Sequence, residues 1–218
     1  MRRLRGTLTG QFPYKAVWRD VQLAEAEAQG LDLPLGVVQS LIGLPWQVNR
    51  RLLQAHFGPD FDVEAFIQAV VRRHDAVCGA GVAVKAGVVE LLDLLDELGL
   101  PRAIATSSER AVVAWRLEPS GLLQRFHAVV ANEDCTHGKP HPEPYLNAAR
   151  AMGVEPAGCL ALEDSYNGVR SAHAAGMMTV MVPDLLPPTE ETLGLCVAVA
   201  ETLHQARDAL LAATSRSG

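Results

Sequence analysis

The chain has 218 residues, with 19 Lys and Arg against 25 Asp and Glu, a formal net charge of −6 and 49% hydrophobic residues. This length buries a sizeable core in one domain, or one domain with a smaller insertion, without disulfide staples. The acidic balance argues against a nucleic-acid partner, no run of 18 apolar residues offers a membrane span, and the basic start MRRLRGTLTGQFPYK lacks an apolar stretch of secretory length. The cysteines, Cys78, Cys135, Cys159 and Cys196, form no CxxC pair and read as reduced thiols of a cytoplasmic protein.

In chain order, the first half reads as helices. The pattern predicts one over 14–29, closed by Gly30, a second over 35–42 between Pro34 and Gly43, a third over 47–57 between Pro45 and Gly58, and a fourth over 63–77. None shows strand alternation, so they form a small helical bundle. The glycine-broken GAGVAVKAG at 79–87 lacks GxGxxG spacing and reads as a hinge. Trp18, Trp46 and Trp115 fall at helical positions, where an indole is expected in the core.

From residue 87 the pattern changes. An amphipathic helix over 87–98 is closed by Gly99, and then short apolar runs alternate with helical patterns. AIA at 103–105 precedes a helix over 110–117, and HAVVA at 127–131 precedes one over 145–152. CLAL at 159–162 precedes one over 168–175, and MTVMV at 178–182 ends at Pro183. Strands alternating with helices in this way imply βαβ units and a mostly parallel sheet. Ligands of such sheets sit at the carboxyl ends of the strands.

Three polar groups fall at those ends. Thr106, Ser107 and Ser108 follow AIA; their hydroxyls suit a phosphate oxygen, although Ser and Thr also serve as plain helix caps. Lys139 lies in GKPHPEP, where three prolines in five residues stiffen the loop; it can neutralise a phosphate or carboxylates, or simply face solvent. Glu163 and Asp164 follow CLAL, adjacent carboxylates that a hard cation such as Mg²⁺ relieves, unless both cap the next helix. Cys135, His137 and His141 have no further partner at finger-like spacing and do not read as a zinc site.

In this order the segments IATSS, GKPHPEPY and LEDSYNGV resemble the haloacid dehalogenase superfamily, and within it the branch of β-phosphoglucomutase-like proteins and small-metabolite phosphatases. VKAGVVELLDLLDELGL is similar to the helix that leads into the second motif, and SLIGLPW to part of a helical cap. The resemblance implies an α/β fold, a Rossmann-like parallel sheet flanked by helices. The core would take residues 1–13 and 81–218, and a small helical cap residues 14–80. It implies a Mg²⁺-dependent phosphatase or phosphomutase of small phosphorylated metabolites that works through an aspartyl-phosphate. Thr106 would bind the phosphoryl oxygens, Lys139 would offset charge, and Glu163 and Asp164 would hold Mg²⁺. Ser107, Ser108 and Asn167 would be neighbouring polar contacts, and Trp46 a cap residue facing the substrate.

The chain departs from the family at the first motif. RxRGTL at residues 3–8 stands where the family has DxDGTL, so Arg3 and Arg5 occupy the places of the nucleophile and the acid–base. Arginine stays protonated and serves neither role. With only Met1 and Arg2 before Arg3, the first core strand is expected to be missing. The alternative reading is a non-catalytic relative that binds a phosphorylated ligand or anion.

Overall fold

The computed structural model describes residues 6–9, 14–41, 44, 46–78 and 84–215, without the side chains of 6–9, 14–16, 46, 78 and 215. Contacts divide the chain into two compact units, Pro13–Ala83 and the combination of Met1–Phe12 with Val84–Gly218. No helix among the described residues is long and apolar enough to cross a membrane.

The smaller unit contains α1 (Tyr14–Ala28), α2 (Leu35–Leu41), α3 (Trp46–Phe57) and α4 (Val63–Cys78). Its core gathers Val21, Ala26, Val38, Leu53, Phe66 and Val70, one apolar stripe from each helix. Phe57 and Phe61 close the far end, their ring centroids 4.2 Å apart. Trp18 is half-buried and stacks on His74 at 4.6 Å.

The larger unit follows the order β1 (Gly6–Thr9), α5 (Val88–Glu97), β2 (Arg102–Ala105), α6 (Arg110–Leu117), β3 (Ala128–Val130), α7 (Glu143–Ala151), β4 (Cys159–Glu163), α8 (Tyr166–Ala174), β5 (Met178–Met181), α9 (Glu190–Leu195), β6 (Ala198–Val199) and α10 (Leu203–Ser215). The strands form one parallel sheet in the order β3-β2-β1-β4-β5-β6. Both faces are covered, as a parallel sheet requires, and the two-residue period of each strand sorts its side chains between them. Ile104, Leu162 and Val180 meet Leu91, Leu95, Leu203 and Leu210 of α5 and α10 on one face. Ala103, Ala105 and Ala161 meet Tyr145, Ala148 and Ala172 of α7 and α8 on the other. Alanines on that second face let the helices approach closely and leave room for the Tyr145 ring. Each fully buried leucine, such as Leu95 or Leu162, contributes about 1.5–3 kcal/mol.

The first strand corrects the sequence reading. It is present, at the centre of the sheet, and it is built from GTLT itself. Thr7, Leu8 and Thr9 pair with Arg102, Ala103 and Ile104. On the other side Gly6–Thr9 runs in register with residues 159–162. Two β-branched threonines and a leucine make this segment competent as a strand. In that slot it satisfies backbone groups of β2 and β4 that a missing strand would leave unpaired.

Three further differences concern elements and side chains. The helices after Pro142 and Ser165 begin two residues earlier than their apolar pattern suggests, at Glu143 and Tyr166. The segment after Pro183, unread in the sequence, forms α9, β6 and α10. Trp115 is 42% exposed rather than in the core, while the Trp46 side chain and most of the expected hinge, 79–83, lie outside the described residues. At the described end of that stretch Gly87 has φ +87°. A Cβ there would sit 2.9 Å from the His204 amide nitrogen and from Leu203 Cβ. The start of α10 therefore packs where only glycine fits.

Candidate active site at the strand ends

Because every strand is parallel, the carboxyl ends of β2, β1 and β4 lie side by side. Thr9 is level with Ile104 and with Leu162, two residues before Thr106 and Asp164 respectively. Thr106 extends the ladder by donating its amide to the Val130 carbonyl at 2.9 Å. Its Oγ1 accepts the Ser108 amide at 3.1 Å, so the hydroxyl proton remains available to donate. None of the three hydroxyl residues caps α6, whose N-cap position is Glu109. Ser107 is exposed, and Ser108 is half-buried beside Arg116.

Lys139 does not face solvent; its side chain is 7% exposed and forms an ion pair with Glu163, itself 1% exposed. Its Nζ lies 3.4 Å from the Tyr145 hydroxyl and 4.9 Å from that ring's centroid, a cation–π placement. Tyr145 is fully buried and donates its hydroxyl to Glu163 Oε1 at 2.6 Å. The second oxygen, Oε2, accepts from the Asp164 amide at 3.1 Å, the Ser165 amide at 3.2 Å and the Ser165 hydroxyl at 3.0 Å. A buried carboxylate is tolerable only with such pairing.

Neither carboxylate caps α8; that task falls to Ser165, whose Oγ accepts the Gly168 amide at 3.2 Å. Lys139 relieves the charge of Glu163, and Tyr145 and Ser165 donate to its oxygens. Asp164, 3% exposed, follows it at the strand end. Asn167 is engaged with Arg170 at 3.0 Å, and Arg170 in turn pairs with Glu191. The structure thus gathers Lys139, Glu163 and Asp164, and places Thr106 at the end of β2, with β1 between it and β4. Arg3 and Arg5 lie outside the described residues.

Tyr145, Ser165 and Gly168 complete the cluster and were not singled out as site residues from the sequence. The Tyr145 phenol is pushed well above its ordinary value of 10, first by burial and then by the Glu163 charge, so it remains a donor. A raised value in the folded state means that stability present below about pH 10 declines as the pH climbs further. Tyr145→Phe is expected to cost about 1.5–3 kcal/mol at pH 7, the usual worth of a hydrogen bond to a charged group. The variant should also show a shallower alkaline decline. Urea unfolding at pH 7 and pH 10.5 checks both, and equal stability of the two proteins at pH 7 would contradict the Tyr145–Glu163 bond.

A family model for haloacid dehalogenase-like hydrolases matches residues 4–176, and the chain belongs to that family. Among curated relatives, YhcW of Bacillus subtilis is 35% identical over 164 residues, 75% of this chain and 74% of that protein. Fructose-1-phosphate phosphatase YqaB of Escherichia coli is 32% identical over 184 residues, 81% of this chain and 92% of that protein. Among solved structures, a HAD family hydrolase from Deinococcus radiodurans with bound phosphate and sodium superposes with a TM-score of 0.80 at 24% identity, covering 98% of each chain. The α/β architecture with its parallel sheet is therefore that of the family.

Proposed function

We propose that the chain is a Mg²⁺-dependent phosphatase, or a phosphomutase, acting on small phosphorylated metabolites. The observation that carries the reading is the placement of a hydroxyl donor, a buried lysine and a buried acidic pair at the carboxyl end of one parallel sheet. Support also comes from the activity named for YqaB and from the phosphate held by the Deinococcus radiodurans relative.

In this reading the Thr106 hydroxyl donates to a phosphoryl oxygen, with Ser107 and Ser108 beside it. Lys139 balances the negative charge gathered on phosphate and carboxylates. Its buried setting strengthens that balance, because a charge shielded from water acts over a lower effective dielectric. The donors at the end of β4 are hard oxygens, which fit Mg²⁺. Asp164 is assigned as the direct ligand, and Glu163 as the carboxylate that holds Lys139 and adjoins the metal. When bound, Mg²⁺ would supply Lewis-acid neutralisation of the phosphate. The unit of Pro13–Ala83 is assigned as the family's helical cap.

A second reading is favoured by one observation: the described residues of β1, Gly6–Thr9, include no carboxylate, and arginine stands at positions 3 and 5. A binding protein for phosphorylated ligands on the same fold needs no nucleophile. Phosphate release from a panel of sugar phosphates, with Mg²⁺ or with EDTA, separates the two. The enzyme reading expects release that requires both Mg²⁺ and Lys139, with Lys139→Ala prepared identically as the contamination control. Saturable binding of a sugar phosphate with no release above that control would establish the second reading instead.

A further inference from the structure

The loop that carries Lys139 has a second face. Lys139 points inward, whereas the side chains of His137 and His141, two residues to either side, are 63% and 50% exposed. Glu143, the first residue of α7, reaches back between them. Its Oε1 accepts the Thr136 amide at 2.7 Å and its Oε2 the His137 amide at 2.9 Å. The same Oε2 lies 3.1 Å from His137 Nδ1 and 3.9 Å from His141 Nδ1. The two imidazole rings stand 4.6 Å apart, tilted by 33°. One ligand atom from each of the three residues lies within 4.8 Å of the others.

We propose that His137, His141 and Glu143 form a binding site for a borderline transition-metal ion of the Zn²⁺ class, separate from the acidic pair at the end of β4. Two imidazoles and one carboxylate are a recurrent Zn²⁺ donor set, with a remaining position open to water. Ligand atoms about 2.0–2.1 Å from such an ion lie roughly 3–3.4 Å from one another. His137 Nδ1 and Glu143 Oε2 already have that spacing, and His141 Nδ1, 3.9 Å from the same oxygen, has under 1 Å to close toward it.

The carboxylate is also prepared for the role. Two backbone amides fix its orientation, the kind of outer support that metal ligands ordinarily have. The Thr136 amide, then the His137 amide and imidazole, hold its carboxyl below the usual range. Prolines at 140 and 142 stiffen the backbone between the ligands. The Ser171 hydroxyl anchors the same loop to α8 by donating to the His141 carbonyl at 2.6 Å. One existing interaction competes: the Glu143 amide donates to His141 Nδ1 at 3.2 Å, and a metal at that nitrogen displaces it.

The structure also separates this set from the Cys135-based trio considered in the sequence. Cys135 packs against the α7 face of the sheet and takes a contact from Asn147 Nδ2 at 3.8 Å, leaving Glu143 as the third donor. Soft ligation by the thiol is further disfavoured because burial pushes Cys135 up from its ordinary range.

Isothermal titration of Zn²⁺ into the full chain, freed of metal by chelation and kept reduced in excess Mg²⁺, tests the assignment. One equivalent should bind. His137→Ala and His141→Ala should each weaken it by more than tenfold, since loss of mere outer-shell support already costs roughly 10–100-fold. Cys135→Ser should leave it unchanged. Both histidines are exposed, so circular dichroism of their variants should match the parent. Absence of binding, binding that survives both histidine variants, or binding abolished by Cys135→Ser would each overturn the proposal.

Discussion

Lys139→Ala is expected to destabilise the chain by about 3–5 kcal/mol, the cost of leaving one member of a buried ion pair without its partner. The variant should also release no phosphate under any metal condition. The stability loss follows from the surroundings of Glu163. Its side chain is 1% exposed, and alanine at 139 removes the ammonium that pairs with it. Tyr145 and Ser165 would remain, but neutral donors do not replace a charge in a medium where water cannot help. Such a loss is a large fraction of the 5–15 kcal/mol that holds most domains folded.

A second variant separates pairing from packing. Lys139→Met combined with Glu163→Gln removes both charges while keeping similar volume, and it should regain most of the stability, because a buried pair is often no stronger than its apolar replacement. It should not regain phosphate release, for which the lysine charge is required. Urea unfolding monitored by circular dichroism gives the stabilities. A Lys139→Ala loss below about 1 kcal/mol, the scale of an exposed pair, would mean that Lys139 and Glu163 meet in water rather than in the core.

The contrast between what the sequence revealed and what it concealed is physical. The strands β2 to β5 were legible because each is a short apolar run closed by polar residues and followed by a helical period. Lys139 and Asp164 stood out for a related reason, as polar residues in the segments that follow such runs. The first strand was misread because only Met1 and Arg2 precede Arg3, which left no room for a strand ahead of the motif, whereas tertiary pairing with β2 and β4 drew GTLT itself into the sheet. Propensity permitted either outcome, and only the gap between β2 and β4 decides it.

The region after Pro183 was silent for a different reason. Its strand is two exposed residues long at the sheet edge, Ala198 and Val199, too short for any alternation to register. Tyr145 was hidden because its significance lies in its hydroxyl, and the acceptor is 18 residues away at the end of β4. In sequence it is simply an apolar residue of α7. Glu143 was overlooked similarly. A glutamate at a helix start is expected on dipole grounds alone, and nothing in the spacing announces that it turns back toward two histidines.

Gly168→Ala is expected to be among the most disruptive single changes in the larger unit, although it adds one methyl group to a helix. A Cβ at this position would lie 2.0 Å from both Cδ and Oε2 of Glu163 and 2.3 Å from Oε1. No real side-chain contact is so short, so Glu163 has to retreat by about 1 Å or more to restore van der Waals distance. It cannot retreat cheaply. Oε2 is held by the Asp164 and Ser165 amides and the Ser165 hydroxyl, while Oε1 is held by Lys139 and Tyr145. Overpacking alone costs about 1–3 kcal/mol, and weakening a charge-assisted bond adds about 1.5–3 kcal/mol. These outweigh the gain of roughly 1 kcal/mol that alanine brings to a helix interior over glycine. A double-mutant cycle identifies the mechanism: in a Glu163→Ala background the added methyl meets no carboxylate, and Gly168→Ala should then be neutral or stabilising. Neighbouring residues that clash in this way typically show coupling of about 0.5–3 kcal/mol. If the glycine change costs the same with and without Glu163, the two residues are not in contact, and α8 does not begin its first turn against the carboxylate that holds Lys139.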